Sequence, residues 1–289
     1  MTAKRRIAPD LARASDAIAA RGGTLGAPLV IAEETGSTND DAKQGARDGA
    51  AHGAVWLSEA QTAGRGRQGR AWLSAPGENL LFSVLLRLKC APARVPPVSL
   101  VCGLAVRDAV AAALGPGRDG DVLVKWPNDV LVRSARDGVL RKVAGVLVES
   151  ALAGSKVEYV VVGIGINVLG RSLPEEVVAT ATSIALEHDP RSAKGAAELD
   201  RAAILADVLA GLDRDVEHVA HKGLGLIHAR LTRYDALAGQ VVESTDAGVA
   251  LRGVASGIDL DGRLLVRGAD GVLVRVSSGE LRLRATSIT

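Results

Sequence analysis

This sequence has few aromatic residues, few cysteines and a small net charge. Phe, Trp and Tyr together make up 2% of its 289 residues, so each tryptophan is considered both as a core residue and as a ligand contact. Cys90 and Cys102 lie in or beside apolar segments without CxxC or histidine spacing, which argues against a zinc site and predicts reduced, structural thiols. A net charge of only +2 argues against general affinity for nucleic acid.

The signatures of several protein classes are also missing. The chain contains no Walker A sequence, no GxSxG elbow and no HExxH pair, which removes the usual NTPase, hydrolase and zinc-enzyme interpretations. The run GIGIN at 163–167 lacks the third glycine of a dinucleotide fingerprint. The basic start MTAKRR precedes no apolar run, and no other stretch approaches the ~20 apolar residues of a membrane span. We therefore expect a cytoplasmic protein that does not contact a membrane.

The residues that are present predict a globular α+β protein. With 47% hydrophobic and 24% charged residues, the chain can form one large domain and one small one. Strands follow one another with few crossover helices, which predicts a mixed or antiparallel sheet with helices on one face. Predicted helices cover 9–21, 36–49, 96–114, 198–221 and 227–237, and predicted strands cover 28–32, 54–57, 80–88, 122–132 (broken at Trp126-Pro127), 142–149 and 157–162.

The spacing of apolar and turn residues changes beyond Gly239. Short apolar runs at 241–242, 249–251, 264–266, 272–276 and 281–283 are separated by Asp-Gly and Ser-Gly turns, which predicts a small β-barrel. We therefore divide the chain into a helical extension at 1–27, a main domain at 28–238 and a barrel at 239–289.

The loop between two predicted strands, Glu59 to Trp72, reads EAQTAGRGRQGRAW and is the most unusual stretch. Its glycines allow unusual backbone dihedral angles while arginines 65, 67 and 70 project together, which suits a phosphate-like ligand. A solvated basic loop or a nucleic-acid contact is the plain alternative. The loop occurs once and is bordered by Gln61 and Trp72, which favours a shaped site over a repeated RNA-binding tract.

Three further polar positions each allow two interpretations. Ser37 to Asp40 is either a simple N-cap or a set of ligand hydroxyls at a helix N-terminus. Lys125, Asn128 and Asp129 at the Trp-Pro turn represent either turn chemistry or a site for a phosphate and its metal. Lys142 is either a strand-end gatekeeper or a functional cation.

Taken together, these motifs resemble those of the biotin protein ligase family. GSTND, QTAGRGRQGRAW, KWPNDV, KVAGVLVE and GIGIN stand in that family's order over about 28–168, and the C-terminal runs match its small SH3-like domain. Five motifs in order are highly specific. The resemblance implies a class II synthetase-like catalytic fold and a two-step reaction, in which biotin and MgATP give biotinyl-5′-adenylate and a carrier lysine then takes the biotinyl group.

The resemblance also assigns roles to individual residues. It implies that biotin is bound by Ser37, Thr38, Asn39, Gln61, Arg65, Gly66, Arg67, Lys142, Gly145 and Gly163, with Gly165 a further close approach. It implies that ATP and the adenylate are bound by Arg65, Arg67, Arg70, Trp72, Lys125, Asn128 and Asn167. Lys142, Arg67 and Asp129 are the implied catalytic residues, and Asp129 is the implied ligand of Mg²⁺.

The expected partner is the biotin carboxyl carrier domain of acetyl-CoA carboxylase, and the resemblance leaves open whether the chain forms a homodimer. The connection between Asp129 and Lys142 is longer than in family members where the two motifs nearly abut, so the assignment of Lys142 rests on KVAGVLVE. Arg141 should point to the other face of the strand.

The motifs do not include those of an N-terminal DNA-binding domain, so we expect a ligase that binds no DNA. A lipoate or octanoate ligase or transferase, a biotin sensor and a nucleic-acid binder are the alternatives.

Overall fold

A seven-stranded mixed sheet forms the centre of the structure, a computed structural model that describes residues 7–188, 199–244, 251–279 and 282–283. The strand order is β1-β2-β3-β7-β6-β5-β4. Only the β1–β2 pair is parallel among these neighbours, which confirms the predicted mixed sheet. The strands are β1 (Leu29–Ala32), β2 (Val55–Ser58), β3 (Asn79–Leu86), β4 (Val122–Lys125), β5 (Asp129–Arg133), β6 (Leu140–Ala153) and β7 (Lys156–Asn167).

The central strands are long and apolar because both faces of the sheet are covered. All eight residues of β3 are buried, and β7 continues without a break from Lys156 through GIGIN. The pairing places Leu81, Gly165, Gly145 and Asp129 side by side on four successive strands. The register therefore carries the glycines of β6 and β7 to a position next to the Trp-Pro turn that precedes β5.

Helices cover both faces of the sheet, not one face as predicted. The helices are α1 (Pro9–Ala12), α2 (Ala14–Arg21), α3 (Thr38–Arg47), α4 (Val98–Leu114), α5 (Ile184–Glu187), α6 (Arg201–Lys222) and α7 (His228–Arg233). α2, α4 and α6 belong with the main apolar cluster. α3 instead forms a separate small cluster in which its alanines meet Leu85 and Val161. Its alanines are small enough for a close approach, which leaves room for polar side chains at its N-terminus.

α4 is the most apolar helix. The segment Pro92–Leu114 is long and apolar enough to cross a membrane, in contrast to the expectation that no stretch approaches this length, but 83% of its apolar window is buried inside the protein. It packs against α6, β4 and β6. Its composition is therefore that of a core helix between a sheet and a second helix.

The C-terminal part is a five-stranded antiparallel sheet in the order β11-β10-β9-β8-β12. Its strands are β8 (Val241–Ser244), β9 (Leu251–Ile258), β10 (Leu264–Arg267), β11 (Leu273–Val276) and β12 (Arg282–Leu283). Its buried residues join the main apolar cluster. Predicted strand residues 249–250 and 281 lie outside the described residues.

Three helix predictions differ in detail from the structure. The predicted helix at 227–237 ends at Arg233. The predicted helix at 9–21 is broken at Arg13 into α1 and α2, and α6 begins at Arg201 because Asp200 caps it through two backbone N–H groups. Residues 1–6 of the predicted extension and residue 198, the predicted helix start, lie outside the described residues.

Candidate active site

The loop after β2 has a defined shape. The N–H of Trp72 donates to Gly64 O at 2.9 Å and the N–H of Gly66 donates to Arg70 O at 2.7 Å, so the loop closes on itself like a short hairpin. Gly69 has a φ of 72°, and Gln68 has a φ of 57°, the one positive φ of a non-glycine residue among those described. The backbone thus adopts left-handed conformations at the tip, between arginines 67 and 70.

Two adjoining cavities lie beneath this loop. The larger has a volume of about 240 Å³ and the smaller about 50 Å³. They share a wall, called here the common wall, that consists of five residues contributed by the loop, the Trp-Pro turn and β6: Gly66, Arg67, Trp72, Asn128 and Lys142. A ligand that filled both cavities would therefore pass the common wall at its middle.

All ten residues predicted to bind biotin line the smaller cavity. The larger cavity is lined by every residue predicted to bind ATP except Arg65, together with Asp129. Arg65 faces the smaller cavity and forms a two-point ion pair with Asp40 at 2.7 and 2.6 Å. The structure therefore groups the predicted biotin-binding and ATP-binding residues around two cavities. Arg65, which was predicted to bind both ligands, lines only the smaller cavity.

The floor of the smaller cavity depends on glycines in β6 and β7. A Cβ at position 163 would lie 2.1 Å from Asn39 Oδ1, and a Cβ at position 165 would lie 2.5 Å from the Trp72 ring. Both separations are shorter than real contacts allow. Gly163 and Gly165 therefore make room for the side chains of the α3 N-terminus and of the loop to lie flat against the sheet.

Gln61, not Ser37, satisfies the N-terminus of α3. Ser37 makes no capping hydrogen bond with its side chain. Instead Gln61 Oε1 accepts from the backbone N–H of Thr38 at 2.8 Å and from its hydroxyl at 3.2 Å. Ser37 and Thr38 are nevertheless buried, at 3% and 4% exposure. Of the two interpretations of this motif, the simple capping box of Ser37 is wrong.

Lys142 stands between the two cavities. Its Nζ lies 2.7 Å from Asp129 Oδ1 and 5.3 Å from the centre of the Trp72 ring. Its backbone is held on both sides, because its N–H donates to Thr180 O and its carbonyl accepts from the N–H of Thr182, both at 2.8 Å. The side chain thus starts from a fixed backbone position and meets one carboxylate.

The neighbouring Arg141 is directed elsewhere. It forms a two-point ion pair with Asp137, at 2.9 and 2.6 Å, within the hairpin that connects β5 to β6. It is absent from the lining of both cavities. This placement agrees with the prediction that alternate residues of the strand point in opposite directions.

The larger cavity is lined by four cationic side chains, Arg67, Arg70, Lys125 and Lys142, and a single carboxylate, Asp129. Burial lowers the pKa of Lys125; Asp129 opposes this effect, while Lys142 and Arg70 add to it. Burial therefore disfavours the charged form of Lys125, and an anion in this cavity would stabilise it.

The C-terminal sheet contacts this site at two points. Arg67 Nη1 lies 3.5 Å from Gly279 O and 3.3 Å from Asn128 Oδ1. The indole N–H of Trp126 donates to Gly262 O at 2.9 Å. Gly279 also lines the larger cavity, so the C-terminal sheet supplies part of its wall and supports the Trp-Pro turn.

Several residues of the site were missed by sequence reasoning. They are Asp40, Lys43, Ser83 and Glu149, which form the polar layer behind the smaller cavity, and Val177, Ala181 and Gly279, which line the larger one. Ser83 carried a signal, since it is the one hydroxyl within the apolar run LLFSVLL. Asp40 and Glu149 stand within the motifs GSTND and KVAGVLVE but were not assigned to the site, and no local pattern marks the remaining residues.

Comparisons with known proteins identify the family of this chain. Residues 33–167 match the model of the biotin/lipoate A/B protein ligase family, and residues 239–284 match that of the biotin protein ligase C-terminal domain. The biotin–[acetyl-CoA-carboxylase] ligase of Mycobacterium tuberculosis is 35% identical, and the alignment covers 88% of each chain. The chain belongs to the biotin protein ligase family.

Other members of the biotin protein ligase family extend the comparison. The bifunctional ligase/repressor BirA of Escherichia coli is 33% identical over 81% of this chain and 67% of its own length. The solved biotin protein ligase of Aquifex aeolicus, in complex with biotin and ATP, superposes with a TM-score of 0.70 at 28% identity, over 89% of this chain and 99% of that one. The C-terminal match also separates the chain from the lipoate alternative.

Proposed function

We propose that this biotin protein ligase forms biotinyl-5′-adenylate across its two cavities and then passes the biotinyl group to a lysine of a biotin carboxyl carrier domain of acetyl-CoA carboxylase. Biotin occupies the smaller cavity and ATP the larger. The observation that carries the proposal is the common wall, because it gives two separately lined cavities a single meeting point at Lys142 and Arg67.

The first step requires two anions to approach each other. A carboxylate oxygen of biotin attacks the α-phosphorus of ATP, a new P–O bond forms, and the bond to the β-phosphate breaks to release pyrophosphate. Lys142 and Arg67 stand where the carboxylate and the α-phosphate meet, while Arg70 and Lys125 face the remaining phosphates. Cations that are already positioned offset the repulsion without having to reorganise during the reaction.

The donor set around Asp129 fits a magnesium ion that arrives with ATP. No group of three His, Cys, Asp or Glu side chains that would hold a metal occurs within the described ranges. Mg²⁺ normally binds one or two carboxylates and completes its shell with phosphates and water. Asp129, with Asn128 beside it, would hold the ion, which when bound would neutralise phosphate charge. The Lys142–Asp129 ion pair places this carboxylate next to the reacting groups.

In the second step the ε-amine of the carrier lysine attacks the acyl carbon of the adenylate, and AMP leaves. The carrier needs a docking edge. β1 is an outer strand of the main sheet, and Val30 on it is 46% exposed. A folded carrier can add its own edge strand there. Because ATP and carboxylases are cytoplasmic, we expect the ligase to act in the cytoplasm, without DNA as a partner.

ATP–pyrophosphate exchange tests the proposal. We expect exchange that depends on added biotin and not on octanoate or lipoate, with an adenylate of the corresponding mass. Biotin binding without exchange would instead indicate a sensor. Exchange supported equally by octanoate would indicate the lipoate-type alternative. Affinity for nucleic acid that falls steeply with salt would indicate the third alternative.

A further inference from the structure

A continuous series of hydrogen bonds between polar side chains, called here the polar chain, lies behind the smaller cavity. Asn39 Nδ2 donates to Glu149 Oε2 at 2.7 Å, and Ser83 Oγ lies 2.6 Å from Asn39 Oδ1 and 2.8 Å from Thr38 Oγ1. Ser83 is completely buried and Asn39 is 4% exposed. This chain connects β6, α3 and β3, and it ends at the hydroxyl of Thr38, which lines the cavity.

Glu149 determines which group donates and which accepts at the hydrogen bonds of this polar chain. A carboxylate only accepts hydrogen bonds, so Asn39 must turn its NH₂ group to Glu149 and its carbonyl to Ser83. The single hydroxyl proton of Ser83 then goes to Asn39 Oδ1. The Ser83 oxygen is left as an acceptor, so the one hydroxyl proton of Thr38 goes either to Ser83 Oγ or to Gln61 Oε1. The orientations of Asn39 and Ser83 are therefore fixed while Glu149 remains an acceptor.

The chain determines which groups face a ligand. The Thr38 proton points to Ser83 or to Gln61, so the Thr38 oxygen presents lone pairs to the cavity. Gln61 Oε1 is occupied by Thr38, at 2.8 Å from its backbone N, so its NH₂ group is left to donate. An acceptor next to a donor matches a cyclic urea, which has N–H groups beside a carbonyl oxygen.

An ion-pair network holds Glu149 in its acceptor form. Lys43 Nζ lies 2.9 Å from Glu149 Oε1 and 2.9 Å from Asp40 Oδ1. Burial by itself would raise the pKa of Glu149, but the hydrogen bonds from Asn39 and Lys43 outweigh it and keep the pKa below its ordinary value. Asp40 in turn pairs with Arg65 of the loop, so the network also reaches the wall of the cavity opposite β6.

We propose that Glu149 is the positioning residue that fixes the Asn39 amide and, through Ser83 and Thr38, sets the selectivity of the smaller cavity for a neutral cyclic urea. The inference rests on the proposed function, because it assigns the smaller cavity to biotin. Glu149 contributes no atom to either cavity lining. It acts on the ligand only through the chain of hydrogen bonds.

The test compares two ligands that differ at one atom. In 2-iminobiotin an imino group, protonated at neutral pH, replaces the ureido oxygen, so a donor stands where biotin has an acceptor. Dissociation constants for both ligands are measured by titration calorimetry with the wild-type ligase and the Glu149→Gln variant. Glutamine has nearly the same shape but can donate or accept, so Asn39 is no longer held in one orientation.

We expect Glu149→Gln to weaken biotin binding by about 10-fold, in line with the cost of one mispaired buried polar group. We expect the ratio of the two dissociation constants to shrink by a similar factor, because the cavity no longer rejects a donor as strongly. Ser83→Ala should change the ratio in the same direction, since it removes the link between Asn39 and Thr38. Glu158→Gln, at an exposed position of β7, is the matched control and should change neither quantity.

The outcomes separate the inference from the function on which it rests. If the wild-type ligase does not bind biotin, the proposed function fails. If it binds biotin selectively and both Glu149→Gln and Ser83→Ala keep the wild-type ratio, the positioning role of Glu149 is wrong while the function stands. Equal weakening of both ligands, with the ratio unchanged, would show that Glu149 is only structural and would also overturn the inference.

Discussion

The two cavities are built on different principles. Apart from Arg65 and the cations of the common wall, the polar groups of the smaller cavity are uncharged hydroxyls and amides on a floor of glycines, and those of Ser37, Thr38 and Asn39 are almost completely buried. The larger is formed by cations on a loop, a turn and a strand end, and Lys142 there keeps 35% of its side chain exposed. Recognition of a neutral ring requires fixed directions, whereas handling of a triphosphate requires charge.

The difference predicts that the two cavities respond differently to substitution. Changes in the smaller one should alter affinity and selectivity for biotin, because its groups contact a part of the ligand that does not react. Changes at the common wall should alter the reaction, because the charge that develops between the carboxylate and the phosphate appears there. The four predictions that follow test this division.

The largest effect is expected for Lys142→Ala. Exchange of ATP with pyrophosphate should fall by about 100- to 1000-fold, because one preorganised cation at the reacting centre is lost. Biotin affinity should change much less, and the variant should fold normally. Lys156→Ala, at an exposed strand start, is the control. Near-normal exchange in Lys142→Ala would transfer the role to Lys125, since Arg141 lines neither cavity.

The next effect is expected at the floor of the smaller cavity. In Gly163→Ala the new methyl group must displace Asn39 from its present position, which is 2.1 Å away. We expect biotin binding to weaken by about 10- to 100-fold, from an overpacking cost of 1–3 kcal/mol, while ATP binds as before. Gly120→Ala, where no atom lies within 4 Å of the new Cβ, is the control. Equal loss of ATP affinity would show that the cavities are not separable.

Enclosure by the loop should have a smaller but distinct effect. Arg67 connects the loop to Asn128 and Gly279, so Arg67→Gly should let the adenylate escape about 10-fold faster. The released adenylate should label lysines of unrelated proteins, measured by streptavidin blotting of added albumin. Labelling should disappear in the Arg67→Gly, Lys142→Ala double variant. Unchanged release and unchanged selectivity would contradict enclosure.

The smallest effect is expected at the contact between the two sheets. Trp126→Phe keeps an aromatic ring but removes the N–H that donates to Gly262 O and part of a buried side chain. We expect a loss of about 2–3 kcal/mol in the free energy of unfolding, from one hydrogen bond and the vacated core volume, and a several-fold weaker affinity for ATP with little change for biotin. An ATP affinity equal to that of the wild-type ligase would show that the C-terminal sheet supports the turn only structurally.

The fold was predictable where patterns are local. Apolar runs bounded by glycine and polar turns placed the strands of both sheets, and the mixed sheet followed from the shortage of crossover helices. The position of α3 on the second face was missed because the sequence shows which side of α3 is apolar, with Ala42 and Ala46 buried, but not which face of the sheet that side covers. Propensity says nothing about which face a helix covers.

The site was predictable where the motifs themselves carry the chemistry. Lys142 and Asp129, separated by twelve intervening residues of a hairpin, were assigned to one site from their motifs, and their Nζ and Oδ1 atoms lie 2.7 Å from each other. The polar layer was not predictable in this way, because Glu149 and Asn39 meet only when α3 packs on the sheet. Such residues matter to the site because they are buried beside it, and their burial follows from the fold and not from the local sequence.

A crystal structure with a non-hydrolysable sulfamoyl analogue of biotinyl-5′-adenylate tests the central claim most directly. We expect the ureido ring beside Thr38 and Gln61 in the smaller cavity, the sulfamoyl linker at Lys142 and Arg67, and the adenosine in the larger cavity. An analogue bound entirely within the larger cavity, or with its linker away from Lys142, would show that the two cavities do not bind biotin and ATP as proposed.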